Sequence, residues 1–348
     1  MSIFFFSTLY LSFILLNLFL HYPQQVLAAS LRTSSALMSL LQVTPVLLLL
    51  VGSAGGLQVG YYNTSCPIAE SVVQLAVAGY HLTDPFYAAG VLRLHFHDCW
   101  VRGCDASVLL VGPDSEQTAK PNNNSLRGFP VIQLAKTALE IFCPRTVSCA
   151  DILAFAARDS VVISGGPYWD VPAGRFDGRV SNATDVILPA PSFNVSQLTE
   201  NFATKGFNQT EMVTLSGAHT IGQAHCSAFS NRLYPTLDPT LNASLATKLE
   251  SECPQSGANP DFRQDLDIVS PLCFDNQYYK NLADLNGLLT SDEALYTDNS
   301  TQSTTQNFAN NTIEWQEAFI AAMIKMGNLP NVTVGEIRVD SLCQKVNT

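Results

Sequence analysis

The stretch Leu92-Arg-Leu-His-Phe-His-Asp-Cys-Trp-Val-Arg-Gly-Cys-Asp-Ala-Ser107 decides how the rest of the chain is read. Asp84-Pro85-Phe86 ahead of it offers a cap and then proline near a first turn, so the segment is predicted to be a helix. Four residues apart on that helix, Arg93 and His97 share a face. Ala88, Val91, Leu92 and His95 recur at i, i+3, i+4 and i+7, the pattern of a stripe buried against a core. His95 is therefore read as a packed residue, and the helix as having an apolar back and a reactive edge.

That edge pairs a cation that never deprotonates with an imidazole able to take and return a proton near neutral pH. Directly after it, Asp98, Val101, Gly103, Asp105 and Ser107 set carboxylates, a hydroxyl and free carbonyls along a short loop. Such oxygens suit calcium. Cys99 and Cys104 are close enough to be bridged and so to pin the same loop.

Residues 3–20 are almost wholly apolar, and a second apolar run, Val46 to Val51, ends at Gly52-Ser53-Ala54-Gly55. Neither is flanked like a spanning helix, and the small residues resemble a signal-peptidase site. The expectation is a leader over residues 1–56, a possible second translation start at Met38, and one domain over 57–348 beginning near Leu57 or Gln58. A retained first block acting as a membrane anchor is the alternative. A domain of that length can bury a large core in one two-lobed unit. The net charge of −11 argues against nucleic acid and anionic lipid as partners. Nine cysteines behind a secretory leader read as a disulfide framework with one left over, its connectivity open. Sequons at Asn63, Asn123, Asn182, Asn194, Asn208, Asn242, Asn299, Asn310 and Asn331 fit passage through the secretory pathway.

Along the chain, helical spacing is predicted over Ile68–Tyr80, Phe129–Phe142 and Cys149–Ser164. Gly112 to Arg127 lacks a hydrophobic period and reads as loop; within it sit Glu116 and Pro121-Asn122. Leu188-Pro189-Ala190-Pro191 is rigid and extended. Val195, Leu198 and Phe202 give a helix ending at Gly206, and another begins near Thr210 and runs into Leu215-Ser-Gly-Ala-His-Thr-Ile-Gly222. There, small neighbours of His219 would let a flat cofactor approach the backbone. Gly257–Pro271 reads as loop and Phe308–Met326 as helix. No alternation is long enough for a sheet, so the predicted class is all-α. By spacing alone Asn122 is turn chemistry, His219 is as often a plain core or turn residue as a functional one, and Asp292 is a surface acid.

From about Leu57 to Val346 the chain resembles the class III (secretory) plant haem peroxidases, most specifically in the motif from Arg93 to Ser107. The resemblance implies a two-lobed, disulfide-stapled helical fold with haem b between distal and proximal lobes. It implies His97 as base, Arg93 stabilising charge, and Asn122 orienting His97 with support from Glu116, which also serves the distal calcium site. On the other side it implies His219 as axial ligand of the haem iron, oriented by Asp292. Phe96 would wall off the iron. A second, proximal calcium ion would take Thr220, Asp267, Ser270, Asp275 and the carbonyl of Cys273. The implied disulfides are Cys66 with Cys143, Cys99 with Cys104, Cys149 with Cys343, and Cys226 with Cys253. Cys273 then stays unpaired, read as a buried and inert thiol.

Asp151 and Arg175 resemble the family's buried ion pair, and Phe176 departs from a second arginine usual there. Pro189 resembles the proline whose carbonyl receives a donor's proton, with Phe86, Ser192, Phe193 and Ala228 around the channel mouth. The implied activity is reduction of hydrogen peroxide to water with one-electron oxidation of phenolic donors, by a secreted extracellular monomer without nucleic-acid or membrane partners. Two other readings compete. One is a catalytically silent calcium-binding glycoprotein, against which Arg93, His97, Asn122 and His219 stand together. The other is a zinc hydrolase built on His95-Phe-His97, but helical residues two apart diverge, and no companion motif is present.

Overall fold

Helices carry nearly all of the regular structure in the computed structural model, which describes residues 56–259, 261–330 and 335–348. The leader, Met38 and the Asn331 sequon lie outside these residues. In chain order the α-helices are α1 (Ala69–Thr83), α2 (Phe86–Arg102), α3 (Phe129–Phe142), α4 (Cys149–Ile163), α5 (Val195–Ala203) and α6 (Gln209–Ser216). They continue with α7 (Ala243–Glu252), α8 (Gln277–Ala283), α9 (Thr290–Thr297), α10 (Asn299–Asn310) and α11 (Thr312–Gly327).

Local chemistry explains where these elements begin. The Asp84 carboxylate accepts from the Phe86 amide at 3.0 Å at the entry of α2. Ser148 caps α4 by accepting from the Asp151 amide at 3.1 Å, and Asn194 and Asn208 open α5 and α6 as capping boxes with Gln197 and Glu211. Each cap satisfies amides that a helix start leaves orphaned.

Helices α1 to α4 pack on one another through the apolar stripes, with α2 against α4 and α1 against both α3 and α4. Helix α6 packs against α10 and α11, and α8 against α9 and α10. The two groups meet where α2 touches α11 and where the Trp100 indole donates to Asn201 at 2.8 Å. A smaller apolar cluster around Phe229, Leu233, Leu245, Leu249 and Leu288 stands beside the main one. This is the all-α, two-lobed arrangement.

The expected pair Asp151–Arg175 is present at 2.8 Å and almost wholly buried. Asp151 also accepts from the Tyr62 hydroxyl and the Gly174 amide, each at 2.7 Å, while Arg175 donates to the Gly327 carbonyl. A buried pair holds only when its remaining hydrogen-bonding capacity is met in this way. Phe176, where the second arginine would stand, is 42% exposed.

Four S–S bonds join the pairs implied above: Cys66–Cys143, Cys99–Cys104, Cys149–Cys343 and Cys226–Cys253. Cys149–Cys343 closes a span of 194 residues, for which chain-entropy arguments give a stabilisation of about 5 kcal/mol.

Several sequence expectations need correction. Cys273 is exposed, not buried. The predicted helix over Phe308–Met326 is two helices, broken at Asn311, whose extended backbone (φ −128°, ψ 79°) ends α10 and starts α11. A two-stranded antiparallel sheet, β1 (Gln223–His225) with β2 (Arg263–Asp265), lies where no strand was expected. At three residues each, these strands are too short for alternation to register. Glu116–Thr118 forms a 3₁₀ turn inside the predicted loop.

Candidate active site

On α2 the stripe faces inward as read: Ala88, Val91, Leu92 and His95 are all buried. His95 lies against the Cys99 sulfur, and burial, with Arg175 nearby, pulls its pKa down to about 3. It is a neutral packed residue. His95, Cys99 and Cys104 cluster closely enough to hold a metal, but the two sulfurs are bonded to each other and supply no thiolate.

His97 turns the other way. Its Nδ1 lies 2.6 Å from Asn122 Oδ1, and the amide is oriented by its own Nδ2, which donates to the Glu116 carbonyl at 2.8 Å. An amide oxygen only accepts, so Nδ1 bears the hydrogen and Nε2 keeps its lone pair. Burial and then the Arg93 charge hold the His97 pKa well below the ordinary histidine value, against a smaller upward pull from Asn122. The imidazole is neutral at physiological pH and ready to accept a proton.

Arg93 donates through Nη1 to the Ser125 carbonyl at 2.7 Å and through Nη2 to Pro121 O and Ser125 Oγ, both at 3.1 Å. The turn Pro121–Ser125 thus holds both groups, one by the Asn122 side chain and one by its carbonyls. The Arg93 surface is accessible, yet the surrounding protein is dense enough to pull its pKa down to about 10. At neutral pH it remains a cation. Phe96 stacks on Trp100 at 4.6 Å and stands edge-on to His97 at 6.0 Å.

His219 sits in the 3₁₀ turn Gly217–Thr220 that extends α6. Its Nδ1 is 2.8 Å from Asp292 Oδ1 at the start of α9. The carboxylate, 2% exposed, also accepts from the Tyr278 hydroxyl at 3.0 Å and the Leu289 amide at 3.3 Å. With Nδ1 as donor, Nε2 is the free ligand atom, and the His219 side chain is 39% exposed although its partner is buried. Gly217 also has a packing role. A Cβ at Gly217 would collide with the Tyr279 hydroxyl and lie 2.6 Å from the Trp315 indole nitrogen, so packing requires that glycine.

The calcium candidates also come together. Asp98 accepts from the Ala106 amide at 2.9 Å, and Asp105 from the Ser107 amide at 2.9 Å. Asp105 Oδ2, Ser107 Oγ and both carboxylate oxygens of Glu116 are buried without a partner. Burial and their mutual repulsion raise the pKa of Asp98, while burial raises that of Asp105 and takes Glu116 to about 8. Orphaned buried oxygens of this kind fit a hard cation. Of the expected carbonyls, that of Val101 accepts from Lys205 Nζ at 3.2 Å, and Gly103 turns the chain with φ +84°.

In the second group Thr220 Oγ1 lies 3.3 Å from Asp267 Oδ2, 3.3 Å from Asp275 Oδ1 and 3.5 Å from Cys273 O. Ser270 Oγ lies 3.5 Å and 3.3 Å from the same two carboxylate oxygens. Ligands at 90° around a calcium ion with bonds of about 2.4 Å stand about 3.4 Å apart, so this spacing fits.

Of the channel residues, Phe86 opens α2, and Pro189 and Phe193 are half-buried in the extended segment while Ser192 is exposed. Ala228 ends the 3₁₀ turn after β1. The segment is tied to α9 by the Ser291 amide donating to Pro191 O at 2.9 Å. Sequence reading missed Tyr278, Ser125 and Lys205, whose partners lie 14, 32 and 104 residues away. No spacing rule connects them.

A family described as Peroxidase matches residues 70–311. Among curated relatives, Peroxidase 5 of Vitis vinifera is 47% identical, the match covering 89% of this chain and 98% of its own. A peroxidase of Triticum aestivum is 47% identical over 89% and 98%, and Peroxidase 71 of Arabidopsis thaliana 43% over 85% and 91%. This chain therefore belongs to the peroxidase family, as a haem peroxidase of the class III plant type.

Proposed function

We propose that His97 and Arg93 form the peroxide-activating pair and that His219, oriented by Asp292, holds the haem iron. The observation that carries this is the matched tautomers, both imidazoles having Nδ1 tied to an acceptor and Nε2 free. Haem, when bound, supplies the electrons that break the oxygen–oxygen bond of hydrogen peroxide. His97 Nε2 takes the proton from the inner oxygen and returns it to the outer one, which leaves as water. The Arg93 guanidinium stabilises the negative charge on the departing oxygen. Asn122 keeps the His97 ring from rotating or exchanging tautomers.

Phenolic donors reaching the mouth near Pro189 would give up one electron at a time, the Pro189 carbonyl accepting the phenol proton. Asp98, Val101, Gly103, Asp105 and Ser107, with Glu116 behind them, would bind one calcium ion. Thr220, Asp267, Ser270, Cys273 and Asp275 would bind a second. Both imidazole arrays come from one chain, which favours a monomer. Four disulfides and the dense sequons favour a secreted protein of the cell wall, its mature domain starting where Gln58 pairs with Ala173. Among the described residues no helix is long and apolar enough to cross a membrane.

The test is His97→Ala. Its reaction with hydrogen peroxide, followed by stopped flow, is expected to slow about 100- to 10,000-fold while haem stays bound. An unchanged rate would remove His97 from the mechanism.

A further inference from the structure

Asp292 Oδ1 receives two hydrogen bonds at once, from His219 Nδ1 at 2.8 Å and from the Tyr278 hydroxyl at 3.0 Å. Tyr278 is 2% exposed, and its ring stands edge-on to the His219 imidazole, centroids 6.2 Å apart. Neighbouring Tyr279 crosses it edge-on at 5.0 Å and fixes its position on α8. A phenol stays protonated near neutral pH, so this hydroxyl is a permanent donor. Two donors on one oxygen compete for the same electron density, and each weakens the other's bond. The stronger the acceptor behind a ligating imidazole, the more basic the ligand.

We propose that Tyr278 is a positioning residue that moderates how strongly Asp292 draws on the His219 N–H, and so sets the basicity of the nitrogen that binds the haem iron. This rests on His219 being the axial ligand. Removing the hydroxyl leaves Oδ1 to His219 alone. The N–H then leans further toward the carboxylate, the ring gains imidazolate character, and the oxidised metal is favoured.

Tyr278→Phe deletes one oxygen and keeps the ring. In the haem-loaded enzyme its ferric–ferrous reduction potential is expected to become more negative, and the ferrous iron–histidine stretching frequency to rise. Asp292→Asn, a weaker acceptor, should move both the other way. Site-specific replacement of Tyr278 by a fluorinated tyrosine, a stronger donor that preserves the packing, should shift the potential positive even if the phenylalanine variant fails to fold. An unmoved potential and stretch in the two Tyr278 variants, or shifts of the opposite sign, would overturn the proposal. If the parent protein shows no iron–histidine stretch, the ligand assignment falls and this inference with it. A normal stretch in the parent with unresponsive variants removes Tyr278 alone.

Discussion

Glu293, beside Asp292, shows what a single buried carboxyl does to this fold. It is 1% exposed, its Oε2 accepts from the Gly287 amide at 2.9 Å, and its Oε1 has no partner. Burial pushes its pKa up from 4.5 to about 8. Between those values the folded chain keeps a proton that the unfolded chain has lost. Its stabilising contribution is therefore full below pH 4.5 and is lost as pH rises through about 8, by at most about 1.4 kcal/mol per pH unit. Glu293→Gln cannot ionise, so its melting temperature relative to the parent should rise between about pH 5 and about pH 8 at saturating calcium. A gap independent of pH would contradict the assignment. Single residues were unevenly legible. Arg93 and His97 followed from helical spacing. The link from His219 to Asp292, 73 residues apart, came only through resemblance, because tertiary pairing across such distances leaves no local pattern.

At the scale of elements, the distal turn links the candidate calcium cluster to the His97 array. Glu116 offers its unpartnered carboxylate to the acidic cluster and its carbonyl to Asn122, which orients His97. Stripping calcium with a chelator should lower the melting temperature and also slow the reaction with peroxide, and added calcium should restore both. A ligand at 1,000 times its Kd stabilises by about 4 kcal/mol, enough for a clear thermal shift. Chelation that changes neither quantity would leave the two oxygen clusters without a metal role. Legibility here followed hydrophobic period. Helix α3 ends where the apolar spacing stops and α4 nearly so, whereas α2 runs on to Arg102 and takes in Asp98 and Val101, which the sequence reading had placed on the following loop. Helices α7, α8 and α9 were not predicted. In α10, Ser, Thr, Gln and Asn dilute the stripe to Thr301, Thr305 and Phe308.

Over the whole molecule, His97 on α2 and His219 in the turn after α6 each have Nδ1 tied to an acceptor. The proposed function assigns Nε2 of the first to proton transfer and Nε2 of the second to the haem iron. Helical periodicity reached the all-α class and the family resemblance supplied the four disulfide pairings, whereas the exposed thiol of Cys273 depended on three-dimensional placement. The most direct test of the two-histidine arrangement is an absorption spectrum of the purified holoprotein before and after one equivalent of hydrogen peroxide. The expected result is a Soret band typical of haem with one histidine ligand, shifting promptly on addition. A protein without a Soret band, or one whose iron is ligated from both sides and does not respond to peroxide, would contradict it.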